Sequence, residues 1–142
     1  MTEPADPTRL LLDRQQIHDA LVAYCWGIDF GDWELMRSVF TPDAHLATSA
    51  GDVVDGADQI VALMQRSRSN FLRTQHLVTN HRAEITGDTA HGTSYVVGFD
   101  VTPGEPEKLV RIVGAYHDDL VRGDGCWLIS DRRISRTWLD PH

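Results

Sequence analysis

Residues 75–101 read QHLVTNHRAEITGDTAHGTSYVVGFDV, and this stretch decides the fold. Two runs rich in β-branched and aromatic residues, 75–86 and 89–101, flank the turn dipeptide Gly87-Asp88, which is the pattern of a long hairpin. The same pattern continues downstream. Thr102-Pro103-Gly104-Glu105-Pro106 separates the second run from a third at 109–121, and Gly123-Asp124-Gly125 separates that from a fourth at 126–139. Four long strands joined in order by short turns predict an antiparallel meander. Upstream the period changes. Leu10, Ile17, Leu21, Tyr24 and Ile28 recur at helical spacing after an Asp6-Pro7-Thr8 start signal, and Gly27 and Gly31 mark where that helix frays or ends. Asp32 can cap a short second helix, 33–40, closed by Pro42. A short strand at 44–50, a turn at Gly51-Asp52 and a third helix at 57–71, through Ile60, Leu63, Met64 and Phe71, complete the chain. Helices first and strands after, without βαβ alternation, predict an α+β fold: a curved antiparallel sheet with three helices across its open face. Such a fold leaves a concave pocket between the layers, where a small-molecule site would sit.

The 142 residues fit one domain, with 1–8 read as a flexible N-terminal tail. Thirteen basic against twenty-one acidic residues give a net charge of -8, which argues against nucleic-acid binding and against docking on an anionic membrane. The longest apolar run, 21–28, is far short of the ~20 residues of a spanning helix, and the first residues lack the pattern of a signal peptide. Cys25 and Cys126 lie far apart, so free thiols in the cytoplasm are expected, with Cys25 reading as core packing. No phosphate-cradling glycine loop is present, which disfavours a nucleotide cofactor. His76 and His81 are an odd number of residues apart on one predicted strand, and alternation would send them to opposite faces; with no Cys-x-x-Cys or His-x-x-x-His, no metal site is expected. Arg122-Gly123-Asp124 is explained by the hairpin turn that contains it.

Several stretches in this order resemble the SnoaL-like branch of the NTF2-like superfamily, over about residues 11–138. They are Tyr24-x-x-x-x-Asp29, Asp32-Trp33 leading to Phe40-Thr41-Pro42-Asp43-Ala44, His76-Leu77-Val78-Thr79-Asn80, Gly87-Asp88-x-Ala90, Gly114-x-Tyr116-x-Asp118 and Trp127-x-Ile129. Within that branch the chain is similar to the group of scytalone dehydratase, bile-acid 7α-dehydratase and hexachlorocyclohexane dehydrochlorinase. The resemblance implies a cone-shaped α+β barrel, elimination chemistry without a cofactor, a hydrophobic cyclic small-molecule substrate, and assembly as a homodimer or homotrimer through the outer sheet face. It also implies a His–Asp dyad. The family's aspartate, at the end of the first helix, falls on Asp29, and its histidine, at the start of the first long strand, falls on His76. Members of the group carry a tyrosine five residues before the aspartate, matched by Tyr24, and an arginine five residues after the last strand's tryptophan, matched by Arg132.

The residues allow that chemistry. Histidine suits the removal of an acidic C–H proton near neutral pH, and a buried carboxylate on Nδ1 would fix its tautomer and steady the imidazolium. The Tyr24 phenol could donate to a departing hydroxyl or a carbonyl oxygen, and Arg132 could stabilise developing negative charge. Asp100, Trp26 and Tyr116 are candidate substrate contacts. Other readings stand beside these. Asp29 also fits a solvated helix-terminal turn, His76 a structural histidine, and Tyr24 a core residue. Alternation leaves open which of Arg132 and Arg133 faces inward. Tyr24 and Asp29 are about 140° apart on an ideal helix and share a face only if Gly27 disturbs it. The functional expectation is a dehydratase-type lyase, with a ketosteroid-type isomerase or polyketide cyclase, or a non-catalytic binding or interaction domain, as alternatives.

Overall fold

A computed structural model describes residues 6–141. The first helix, α1, spans Pro7–Phe30. It starts where Asp6 accepts a hydrogen bond from the Thr8 amide and Pro7 takes the first turn, a position that needs no N–H. Residues 7 and 8 are therefore helical rather than tail, while residues 1–5 of the expected tail lie outside the described residues. Gly27 does not fray the helix. It is small because α2 crosses there, and a Cβ would lie 2.7 Å from that of Met36. The helix ends instead at Gly31, in the left-handed conformation at φ 69°.

The second helix, α2 (Trp33–Ser38), is capped by the Asp32 carboxylate on the Leu35 amide. It stops before Phe40 because that residue already pairs in strand β1 (Phe40–Ala47). Pro42 thus lies inside a strand, at the point where pairing with the neighbouring strand is interrupted and no amide is required. Strand β2 (Val53–Asp55), helix α3 (Ala57–Arg68) and strands β3 (Arg73–Thr86), β4 (Thr89–Thr102), β5 (Lys108–Arg122) and β6 (Trp127–Leu139) follow. Helix α3 is a turn shorter than its sequence pattern, since the chain swings back to bond the Leu72 amide to the Val101 carbonyl.

One six-stranded sheet results, in the order β2-β1-β6-β5-β4-β3. The predicted meander β3 to β6 is antiparallel throughout, but β1 runs parallel to β6, so the sheet is mixed. Its curve remains open, with β2 and β3 as edges. The three helices cover the inner face. Ile17, Tyr24 and Ile28 of α1 pack there in one cluster with Leu46, Leu120, Trp127 and Ile129.

The β3–β4 register slips between Thr79 and Arg82, around Asn80 at φ 53°. That bulge returns His81 to the inner face, the same face as His76: Cβ atoms built on Gly92 and Gly98 of β4 would lie 3.3 Å and 3.4 Å from Nε2 of His81 and His76 respectively. The expectation of opposite faces fails for that reason. The two rings stand opposite strand positions six residues apart, about 20 Å along β4, too far to share an ion.

Candidate active site

A cavity of about 260 Å³ opens between α1, α3, the β1–β2 turn and the inner sheet face. Its walls are mostly apolar, with Ile28, Leu63, Met64, Val96, Ile112 and Ile134 among them. Into this lining project His76, Asp100, Tyr24 and Tyr116.

His76 enters from the start of β3, where Thr74, His76 and Val78 alternate onto the inner face. Its Nδ1 lies 2.6 Å from Oδ1 of Asp29, in the last turn of α1. The Asp29 carboxylate also accepts from the His76 backbone amide at 2.8 Å and from the Thr74 hydroxyl at 3.0 Å. With two other donors aimed at the same carboxylate, Nδ1 donates in the ring bond, which leaves Nε2 as the nitrogen not engaged by Asp29. Both side chains are largely enclosed, at 17% and 13% exposure. Gly98, directly opposite His76 on β4, leaves the ring room. Tyr24 and Asp29 need not share a helix face: Asp29 turns toward β3 while Tyr24 faces the cavity, and α1 stays regular between them.

Asp100 lies on the same face of β4 as Gly98, opposite Thr74. It is buried, and its Oδ1 has no hydrogen-bond partner. Burial pushes its pKa above the ordinary carboxylate value, and nearby Asp29 adds to this, against the opposing pull of His76 and Arg68. The site therefore pairs a basic nitrogen with a carboxyl biased toward its acid form.

Tyr24 and Tyr116 meet edge to face, with ring centroids 5.6 Å apart. Burial pushes the Tyr24 phenol up to about 12 and that of Tyr116 well above its usual value, so both stay protonated and able to donate. The Tyr24 hydroxyl points at the Met64 sulfur, 3.5 Å away.

Of the two candidate arginines, Arg132 faces inward, but it does not line the cavity. Its guanidinium is sealed behind the tyrosines, 4.3 Å from the Tyr24 ring centroid and 4.0 Å from that of Tyr116. Two 2.7 Å bonds join it to Asp118. It is 0% exposed, so direct contact with substrate is excluded; it holds the tyrosine pair in place. Trp26 does not line this cavity but borders a second one beside Asp29 and His76. It is 57% exposed and stacks on Phe30 outside the first, because α1 turns positions 24, 25 and 28 inward and 26 outward.

Three residues of the site escaped the sequence reading. Thr74, two positions before His76, supports the dyad, and the same alternation could have found it. Arg136 follows Arg132 and Ile134 on the inner face of β6 and lines the cavity, as does Arg68 from the end of α3. Elsewhere, Arg122 of the Arg-Gly-Asp stretch clamps the buried Asp13, which also accepts from the Trp127 indole. Cys25 is buried, and burial raises its thiol to about 11, as expected of a packing cysteine. Among the described residues no group of three or more His, Cys, Asp or Glu is placed to hold a metal ion, and no helix is long and apolar enough to cross a membrane.

Comparison with known proteins follows the same lines. The model of the SnoaL-like domain matches residues 9–133. Terrestric acid biosynthesis cluster protein E of Penicillium crustosum is 33% identical, over 97% of this chain and 94% of its own length. An uncharacterized protein of Mycobacterium tuberculosis is 32% identical, over 84% of this chain and 82% of its own. Among solved structures, a hexachlorocyclohexane dehydrochlorinase superposes with a TM-score of 0.88 at 21% identity, covering 96% of this chain and 93% of that one.

Proposed function

Since the chain belongs to the SnoaL-like domain family of the NTF2-like superfamily, we propose that it is a cofactor-independent lyase, eliminating water from a hydrophobic cyclic small molecule. One observation carries the reading: an enclosed histidine, bonded through Nδ1 to Asp29 at 2.6 Å, lines an apolar cavity. His76 Nε2 removes a proton from the carbon next to a carbonyl, and the imidazolium that forms is held by Asp29. The resulting enolate oxygen accepts from the phenols of Tyr24 and Tyr116, preorganised by Arg132 behind them. As the β-carbon–oxygen bond breaks, the departing hydroxyl takes the proton of the Asp100 carboxyl and leaves as water. The imidazolium proton then returns to Asp100, which restores both groups.

The Penicillium relative, from a cluster that makes a small molecule, supports a small-molecule substrate. The dehydrochlorinase, itself an eliminating enzyme by its name, shares the fold. Isomerisation is the second reading, because a base and a carboxyl of raised pKa in one cavity also suit moving a proton from one carbon to another. Turnover of a panel of cyclic β-hydroxy ketones separates the two: loss of water supports the lyase, whereas deuterium uptake from solvent without water loss supports the isomerase. Equal turnover by wild type, His76→Ala and Asp29→Asn overturns both. Self-association through the outer sheet face remains part of the proposal. Leu77, Val97, Val113 and Trp138 stand there in one cross-strand row, and Leu77 and Trp138 are exposed in the single chain.

A further inference from the structure

Arg136 stands in a cross-strand row with Gly114, Val96 and Val78 on the inner face of the sheet. The other three side chains are apolar or absent, and nothing in the packing of that row calls for a charge. Arg136 is exposed, its guanidinium has no salt-bridge or side-chain hydrogen-bond partner among the described residues, and it lines the cavity from the solvent side. A bulge sits directly after it. Between Arg136 and Trp138, β6 carries one residue more than β5, and the Ser135 carbonyl presses so close to Gly114 that a Cβ there would lie 2.1 Å away. Bulges of this kind re-aim side chains beside binding sites.

His76 and Arg136 sit on strands three steps apart and in rows two residues apart, about 16 Å along the sheet. Gly98 leaves space beside the His76 ring, and Val96 and Ile112 form an apolar floor between base and guanidinium. Arg68, at the end of α3, adds a second positive charge. One of its nitrogens donates to the Phe71 carbonyl, while its buried Nε has no partner. Two carboxyls line the same cavity. Asp52 is engaged by Thr48 in the β1–β2 turn, and burial biases Asp100 toward its neutral form. In a chain of net charge -8, two arginines thus line one cavity, and Arg136 is the one without a carboxylate partner among the described residues.

We infer that the cavity's ligand is a ring compound bearing a carboxylate, which Arg136 binds at the wall facing His76. This deepens the proposed function and rests on its premise that the cavity is the substrate site. A planar guanidinium with no other partner can grip a carboxylate through two parallel bonds, and the bonded pair then sets the ring's reach toward Nε2.

Matched acid and amide pairs test the assignment: benzoate with benzamide, and naphthalene-2-carboxylate with 2-naphthamide, titrated by calorimetry at low and moderate salt. The acid of at least one pair is expected to bind tenfold or more tightly than its amide. Arg136→Gln should erase that difference and leave amide binding unchanged, Arg136→Lys should restore part of it, and His76→Ala should keep it. Acid and amide binding alike in wild type, or Arg136→Gln weakening both equally, overturns the carboxylate assignment while leaving the lyase reading intact. Failure of every probe to bind overturns the assignment and the cavity's role together. Because binding needs no turnover, a failed dyad would leave the charge preference in view.

Discussion

Asp29 with His76 and Asp118 with Arg132 are both enclosed carboxylate–nitrogen pairs, at 2.6 Å and 2.7 Å, in the same cone. The first borders open space. Its imidazole spends one nitrogen on the carboxylate and turns the other to the cavity. The second is fully buried against two tyrosine rings, and a guanidinium stays charged throughout the working pH range. Contact geometry alone therefore does not distinguish a reactive pair from a scaffolding one. What separates them is a spare lone pair and a place for it to point.

The sharpest way to break this contrast is His76→Ala. Turnover should fall by about 10²–10⁴ while the urea unfolding midpoint stays near that of wild type. A large loss of stability would make the dyad a scaffold like its neighbour. Next comes Arg132→Met, which strands Asp118 without a partner; equilibrium unfolding should lose about 3–5 kcal/mol, and adding Asp118→Leu should recover most of it. A cost below about 1 kcal/mol would mean that the sealed pair holds nothing.

Two other carboxyls extend the comparison to acid. Arg122, with help from Trp127, lowers the pKa of Asp13 from 3.8 to about 2, so its contribution to stability is complete above 3.8 and disappears as pH falls through 2. Asp13→Asn should remove that part of the acid sensitivity. Asp100 has the opposite sign. With a raised pKa in the fold, its ionisation destabilises the native state as pH rises past the ordinary carboxylate value. Asp100→Asn should therefore stabilise the protein at neutral pH, an advantage that disappears below pH 3.8, while turnover falls. Thermal melts across pH 2–8 check both slopes. The mildest change is Gly98→Ala, whose new Cβ would touch the His76 ring at 3.4 Å. Turnover should drop roughly tenfold or less, with little change in stability.

Much of this arrangement could be read before any coordinates. The long strands were placed to within about two residues because glycine, proline and aspartate punctuate each junction, and those residues act locally. Asp29 and His76 came from a resemblance, and no spacing rule would have joined residues 47 positions apart. Three things were hidden for identifiable reasons. The parallel β1–β6 contact links segments separated by most of the chain, beyond the reach of any local pattern. The bulge at Asn80 reversed an alternation argument by adding one residue to it. The difference between Arg132 and Arg136 is one of depth: both face inward on β6, and only the tyrosines stacked on the former keep it out of the cavity.

Helix α1 carries one bonded carboxylate near each end: Asp13, buried in the Arg122 clamp, and Asp29, half-buried beside His76. Sixteen residues of unbroken helix separate them, about 24 Å. A single inserted or deleted residue between them would swing one carboxylate by about 100° relative to the other and shift it 1.5 Å. The clamp or the dyad would then be lost, whatever residue was involved. At its exposed positions this segment therefore tolerates substitution, but nowhere a change of length. Any growth or shrinkage of the chain over evolutionary time would fall in the turns between strands, such as 103–107 and 123–126, which anchor neither carboxylate.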